Sequence, residues 1–144
     1  MRVRGEFTLS SERADVDVDV VHRYLTASYW AEGIPRETVV RSIEGSIPFS
    51  VFHAGKQVAF ARVISDGATF AYLSDVFVLP KWRGRGLSTW MMEAIMAHPG
   101  LQGLRRWMLT TRDAHGLYRK FGFADVGTPA AVLEINRRGM YVEE

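Results

Sequence analysis

The feature that most constrains this chain is an apolar stretch that ends at a proline and is followed by alternating arginine and glycine. Residues 73–79 predict a buried strand, Pro80 ends it, and Arg83-Gly84-Arg85-Gly86 follows. A helix with one apolar face then begins near Leu87. A strand, a glycine loop and a helix in this order predict a layered α/β fold in which the helix packs on a sheet.

The rest of the sequence predicts the other elements of one mixed sheet. A first helix is predicted from Asp17. Valine and aspartate alternate there as in a strand, but the helical spacing of the apolar residues is preferred. A second helix is predicted between Pro35 and Gly45. A short helix that Asp113 caps runs to Phe121. Strands are predicted over 48–53, 57–64, 69–79 and 106–110, the last of these buried, and a final strand over 131–136 closes the sheet. We interpret residues 1–144 as a single domain.

Composition excludes several classes of function. The chain contains no cysteine, which excludes a disulfide scaffold, a thiolate metal site and a cysteine nucleophile. Its four histidines lack metal-ligand spacing, so no metal is expected. A formal net charge of +2 is too small to predict nucleic-acid binding. We also expect no membrane partner and a cytoplasmic location, since there is neither a long apolar run nor an apolar core behind the first arginines.

The glycine loop has the properties of an anion site. The first N–H groups of a helix have no intrahelical partner, and together with the helix dipole they attract negative charge. Gly84 and Gly86 let the backbone approach a phosphate closely, while Arg83 and Arg85 add positive charge. The alternative is a glycine-rich connection with solvated arginines. The spacing fits neither a P-loop nor a dinucleotide-binding fingerprint.

Two motifs together resemble a known family. The segment 78–88, followed about thirty residues later by Leu117-Tyr118-Arg119-Lys120-Phe121-Gly122-Phe123, is similar to the GNAT superfamily of N-acetyltransferases. The family's loop pattern falls on Arg83, Gly86 and Ser88, where serine replaces a small apolar residue. The resemblance implies a mixed, mostly antiparallel sheet of about six to seven strands, splayed between strands 4 and 5, with about four helices.

The resemblance also implies that acetyl-CoA is the cosubstrate. In such proteins the fourth strand pairs with the pantetheine arm, a bulge (here near residues 78–79) aims one N–H at the thioester carbonyl, and loop N–H groups hold the pyrophosphate. The cofactor-binding residues that it implies are Val76, Phe77, Val78, Arg83, Gly84, Arg85, Gly86, Leu87 and Ser88.

Two residues are candidates for catalysis. The resemblance implies that the Tyr118 phenol protonates the leaving thiolate, although its helical spacing with Leu117 and Phe121 alone is typical of a core residue. Asp75 lies in an otherwise apolar strand, so its carboxylate needs a partner or solvent. It either orients a cationic acceptor or accepts structural hydrogen bonds, and both alternatives stay open. The sequence identifies no general base.

The acceptor side is expected at the connection between the first two helices, Ser28-Tyr29-Trp30-Ala31-Glu32-Gly33. Its aromatic rings and carboxylate suit a cationic amine, or they cover the core. We predict direct transfer of an acetyl group from acetyl-CoA to a primary amine of a small molecule. The alternatives are a peptide or protein acceptor, a non-catalytic acyl-CoA sensor and, with less support, a nucleic-acid binder. The resemblance also allows a homodimer, because relatives often dimerise.

Overall fold

The sheet is a meander with one parallel pair, as shown by a computed structural model that describes residues 1–142. Within that range its strands are β1 (Arg2–Arg4), β2 (Phe7–Ser10), β3 (Ile47–His53), β4 (Lys56–Ser65), β5 (Phe70–Val78) and β6 (Arg106–Leu109). They lie side by side in chain order. Every pair is antiparallel except β5 and β6.

Helices cover both faces of this sheet. They are α1 (Val18–Thr26), α2 (Arg36–Glu44), α3 (Leu87–Ala97) and α4 (His115–Arg119). Because side chains alternate along β4, Phe60 packs with α1 and α2 on one face, while its neighbours Ala59 and Ala61 pack with α3 on the other. The core therefore consists of two apolar clusters, one on each side of the sheet.

The predicted α/β class, with a mixed and mostly antiparallel sheet, is confirmed. Helix α1 begins after Asp17, whose Oδ1 accepts hydrogen bonds from the N–H groups of Asp19 and Val20. Helix α2 follows Pro35 and ends before Gly45. In the described part of the chain, six strands and four helices agree with the predicted numbers. None of these helices is both long and apolar enough to cross a membrane.

The sheet opens between β5 and β6, as predicted, since these are the strands predicted over 69–79 and 106–110, which the resemblance numbers 4 and 5. Strand β6 pairs with only the first four residues of β5, from Phe70 to Leu73. Strand β5 continues to Val78, so its second half has β4 on one edge and a cleft on the other.

The predicted closing strand over residues 131–136 is wrong. This segment has no strand in the structure and pairs with no other part of residues 1–142. Leu133 is 92% exposed and Ile135 is 84% exposed. The sequence of this segment has a high β propensity, but a strand forms only where another strand can hydrogen-bond to it. Here the segment pairs with no strand of the sheet.

Three smaller predictions near β6 also need correction. Strand β6 is half-buried rather than buried, because it is the edge of the sheet. The residue at the N-cap of α4 is Ala114 and not Asp113, and no side chain caps the helix there. The helix also ends at Arg119, before Phe121.

Candidate active site

The opening between β5 and β6 forms a cleft of about 1170 Å³. Its walls come from the second half of β5, the glycine loop, the start of α3, the end of β6 and α4. The connection between α1 and α2 and residues 134–141 complete it. Both predicted motifs and the predicted acceptor segment therefore meet at one place.

The start of α3 presents free backbone donors to this cleft. Gly84 and Gly86 have φ angles of +78° and +75°, a left-handed conformation that favours glycine. Gly86 is the N-cap of α3, and no side chain caps the helix there. Because Gly86, Leu87 and Ser88 line the cleft, the first N–H groups of α3 are available to an anion within it.

The two arginines of the loop differ in their contacts. The Arg83 guanidinium donates hydrogen bonds to the Val78 carbonyl at 2.9 Å and to the Tyr24 hydroxyl at 3.0 Å. Arg85 lies over the Trp82 ring, with 4.9 Å between the guanidinium carbon and the ring centroid. Arg83 thus braces the loop against the end of β5. Contact of either arginine with a phosphate stays a prediction.

A β-bulge lies in β5 where β6 stops pairing. Ser74 pairs with Arg62 and Phe77 pairs with Phe60, so two residues of β5, Asp75 and Val76, face one residue of β4. The bulge was predicted near residues 78–79, which is wrong by about three positions. Asp75 has a φ of +53°, which an aspartate tolerates better than most residues. A bulge removes its residues from the ladder and frees their backbone groups.

The Asp75 side chain sustains this bulge through two hydrogen bonds. Its Oδ2 accepts a hydrogen bond from Arg62 Nε at 2.6 Å, and its Oδ1 accepts one from Trp30 Nε1 at 2.8 Å. The Asp75 side chain is only 8% exposed and that of Arg62 is 15% exposed, so the ion pair is largely buried. Of the two alternatives that the sequence left open, this geometry favours a structural acceptor over a holder of the substrate.

The uncovered half of β5 provides an open strand edge along the cleft. Phe77 and Val78 pair with Phe60 and Ala59 of β4, and this pairing occupies one of the two edges of β5. Val76, Phe77 and Val78 also line the cleft. Pairing of this backbone with an extended ligand stays a prediction, and the geometry leaves room for it.

Tyr118 lines the cleft and is largely buried. It is 7% exposed, and in residues 1–142 its hydroxyl has no hydrogen-bond partner. Burial raises the pKa of Tyr118 to about 12, and repulsion by the phenolate form of Tyr29 and by the Asp113 carboxylate acts in the same direction. The phenol therefore stays protonated near neutral pH and can donate its proton to a group in the cleft.

The predicted acceptor segment forms an aromatic wall. Trp30 packs edge-on against Tyr29 with 5.1 Å between ring centroids, and Tyr24 stacks on Phe77 at 4.0 Å. The guanidinium of Arg112, from the loop after β6, lies 3.8 Å from the Tyr29 ring centroid. This contact joins the loop after β6 to the connection between α1 and α2.

The third contributor to the cleft is the segment 134–141, which crosses it. The segment is anchored where Tyr141 meets Gly33, since a Cβ built on Gly33 would lie 2.7 Å from the Tyr141 carbonyl oxygen. Gly33 also has a φ of +81°, so both space and backbone conformation require glycine there.

Sequence reasoning missed Arg62, Arg112 and this crossing segment. A charged residue within the apolar strand 57–64 was a signal that could have pointed to Arg62, because a buried charge needs a partner. Arg112 carried no such signal. Among the described residues, no group of three or more His, Asp or Glu side chains could hold a metal ion.

Comparisons with known proteins agree with this geometry. The family model described as an acetyltransferase (GNAT) domain matches residues 45–125. A protein of Gibberella zeae, provisionally assigned as an acetyltransferase, is 31% identical in an alignment of length 140 that covers 81% of this chain and 78% of that protein.

Solved structures give the same result. A crystal structure from Xanthomonas campestris pv. campestris, provisionally assigned to the same family, is 50% identical, with a TM-score of 0.93 over 95% of this chain and 97% of that chain. A Clostridium acetobutylicum structure with acetyl-CoA is 18% identical, with a TM-score of 0.63 over 90% of this chain and 94% of that chain. At that identity the second likeness shows the fold alone.

Proposed function

Because the chain belongs to the GNAT family of acetyltransferases and is an acyltransferase, we propose that it transfers acetyl from acetyl-CoA directly to a primary amine of a small molecule. One observation carries the proposal. The uncapped start of α3, the open edge of β5, the bulge at Asp75 and the protonated Tyr118 all face one cleft.

The cleft has the groups that acetyl-CoA requires. The N–H groups at the start of α3 suit the pyrophosphate, because they lack partners and lie at the positive end of the helix dipole. The open edge of β5 suits the amide groups of the pantetheine arm, which can pair with a strand as another strand would. A backbone N–H freed by the bulge suits the thioester oxygen.

The reaction needs one proton donor, and Tyr118 supplies it. The uncharged amine attacks the thioester carbon, the new C–N bond forms, the C–S bond breaks and the electron pair leaves with sulfur. Tyr118 donates its proton to that sulfur and regains one from solvent, while the acetylated nitrogen releases its proton to solvent. The raised pKa of Tyr118 keeps the donor protonated at the start of each cycle.

The acceptor wall supports a small cationic amine. The rings of Tyr29 and Trp30 and the carboxylate of Glu32 line that end of the cleft. Aromatic faces and a carboxylate both attract an ammonium group. Residues 134–141 also line the cleft and reach this end where Tyr141 meets Gly33, and a peptide acceptor would require an open groove there. This favours a small molecule over a protein acceptor.

The experiment that tests the proposal has two stages. Calorimetric titration with acetyl-CoA should give micromolar binding, and a panel of small amines and short peptides should then be screened for release of CoA thiol. Thiol release with small amines supports the proposal, and release only with peptides supports a protein acceptor. Binding without release on any amine would instead indicate a sensor, while no binding at millimolar acetyl-CoA would contradict both. The cytoplasmic location stays a prediction.

A further inference from the structure

The indole N–H of Trp30 joins the acceptor wall to the bulge of β5. Trp30 Nε1 donates a hydrogen bond to Asp75 Oδ1 at 2.8 Å, although the two residues lie 45 positions apart in the chain. Trp30 is 42% exposed, whereas the Asp75 side chain is only 8% exposed. One hydrogen bond therefore connects a partly exposed ring, on the wall of the cleft, to a buried carboxylate within the strand beside it.

The backbone conformation of Asp75 needs support from outside the bulge. A φ of +53° is uncommon for a residue with a side chain, and such a conformation persists only where several contacts fix it together. The two carboxylate oxygens make one contact each, Oδ2 with Arg62 Nε at 2.6 Å and Oδ1 with Trp30. With one contact alone, the carboxylate would be free to rotate and the bulge would no longer be held in one conformation.

The two contacts come from different parts of the fold. Arg62 is fixed from within, because its side chain is 15% exposed and its Nη1 also donates a hydrogen bond to Ser46 Oγ at 3.0 Å. Trp30 belongs to the connection between α1 and α2. There the Ser28 hydroxyl accepts the Ala31 N–H at 3.1 Å, and this hydrogen bond spans Trp30 and fixes the backbone that carries it. Trp30 is therefore the contact that depends on the acceptor wall.

The bulge is also where the proposed reaction needs a well-aimed donor. A backbone N–H freed there suits the thioester oxygen, and such a donor contributes only when it points at that oxygen. Asp75 and Val76 are the two bulged residues. A change in the backbone angles at Asp75 therefore changes the direction of the N–H groups beside it.

We propose that Trp30 is a positioning residue, whose indole N–H acts through the Asp75 carboxylate to fix the direction of the bulge N–H that polarises the thioester carbonyl. This inference rests on the proposed function, because it requires the carbonyl of acetyl-CoA to lie at the bulge. It gives the acceptor wall a part in activating the thioester, besides its proposed contact with the amine.

The test compares two ligands that differ at the thioester. CoA has no carbonyl there, whereas the ketone analogue of acetyl-CoA, in which a methylene group replaces the sulfur, keeps the carbonyl and cannot transfer acetyl. The wild type should bind the analogue about tenfold more tightly than CoA, as calorimetry measures, because an aligned hydrogen bond contributes about that factor. Trp30→Phe keeps a ring but lacks the N–H, so its ratio should fall to about two- to threefold while its CoA affinity stays unchanged.

Two further variants separate the N–H from the ring and from the wall. Trp30→Leu lacks both the ring and the N–H, and it should match Trp30→Phe. Tyr29→Phe changes the neighbouring ring, whose centroid lies 5.1 Å from that of Trp30, and should keep the wild-type ratio. Trp30 lies outside both buried core clusters, so the variants should fold, and unchanged CoA affinity verifies that they do. A merely structural role would change both affinities together and leave their ratio constant.

The outcomes distinguish this inference from the proposed function. A wild-type ratio in Trp30→Phe, with CoA still bound, would overturn the inference and leave the cosubstrate site in place. If only Trp30→Leu lowers the ratio, the ring rather than the N–H positions the bulge, which also overturns the inference. A ratio of one in the wild type would mean that the bulge does not contact the carbonyl. Failure of the wild type to bind CoA would overturn the proposed function and this inference with it.

Discussion

The two sides of the cleft are built in different ways. The side proposed to bind acetyl-CoA consists of backbone: two left-handed glycines, an uncapped helix start and an open strand edge. The acceptor side consists of side chains from distant parts of the chain, which include Trp30, Asp75 and Arg112. The first side should therefore tolerate most side-chain substitutions but not the replacement of its glycines. The second side should be sensitive to side-chain substitutions.

The largest effect is expected at Tyr118, which lines the same cleft. Tyr118→Phe removes the proton donor while it keeps the ring, so kcat should fall by about 10²–10⁴-fold. The acetyl-CoA dissociation constant should change by less than about twofold, since the backbone groups of the cofactor side are untouched. Thiol release and calorimetry measure the two quantities.

A second phenol near the cleft provides the control. The Tyr72 hydroxyl lies 3.0 Å from Thr110 Oγ1 and already has a partner. Tyr72→Phe should therefore lower kcat by less than about tenfold, well short of the loss that a proton donor causes. If kcat falls equally in the two variants, Tyr118 is not the proton donor of the reaction.

The next effect concerns the buried ion pair behind the acceptor wall. Arg62→Met leaves the Asp75 carboxylate buried with only the Trp30 N–H as a partner. Breaking a buried pair from one side costs about 3–5 kcal/mol, which urea denaturation would measure as a loss in the free energy of unfolding. The exposed Arg36–Asp19 pair is the control, and Arg36→Met should cost far less, because solvent screens an exposed pair.

A double variant then tests whether charge is the cause. Asp75→Asn added to Arg62→Met removes the unpaired charge, and asparagine also accepts the left-handed φ of the bulge. The double variant should recover more than half of the lost stability. If it is as unstable as Arg62→Met alone, the arginine contributes through packing and the bulge does not depend on the ion pair.

Burial of Tyr118 also predicts a loss of stability at alkaline pH. The folded pKa is raised to about 12, while an unfolded tyrosine ionises near 10. The contribution is therefore complete below pH 10 and is lost as the pH rises towards 12, for a total of about 2–3 kcal/mol. Urea denaturation at pH 9, 10 and 11 should show a steeper decline for the wild type than for Tyr118→Phe. Parallel declines would mean that the phenol is not desolvated.

The difference between the two sides also explains what the sequence could predict. Gly84, Gly86 and the apolar run before Pro80 encode backbone conformation locally, so the loop and its helix were predicted to within a residue. The Asp75 bulge depends on Arg62 and Trp30, which only the fold brings together. No local pattern contains that information, and the bulge was misplaced.

The segment 131–136 also shows that local sequence does not contain long-range contacts. Its alternation correctly indicates β propensity, but a strand also needs an edge to pair with, and a sequence does not say where that edge is. The Asp113 cap failed for a similar reason, because a capping residue type is visible in the sequence but the backbone position at which the helix starts is not.

A smaller effect is expected from the glycines of the cofactor side. Gly86 and Gly55 have φ angles of +75° and +79°, and a Cβ at either would meet nothing within 4 Å. Alanine at each position should therefore lower the free energy of unfolding by about 1–2 kcal/mol, because of backbone strain. Only Gly86→Ala should also weaken acetyl-CoA binding, by about tenfold, because relaxation of the strain moves the first N–H groups of α3. Equal acetyl-CoA affinity in the two variants would mean that the loop does not bind the cosubstrate.

The smallest effect is expected where one side chain bridges the cleft. Arg112 lies over the Tyr29 ring at 3.8 Å, and an exposed contact of this kind contributes about 0.5–1 kcal/mol. Arg112→Ala should therefore raise KM about two- to fivefold for the best amine found in the screen, with the acetyl-CoA dissociation constant unchanged. Arg119→Ala, which breaks the exposed ion pair with Asp125, is the matched control and should change neither quantity. If Arg112→Ala instead weakens acetyl-CoA binding and leaves the amine KM unchanged, Arg112 belongs to the cofactor side of the cleft and not to the acceptor side.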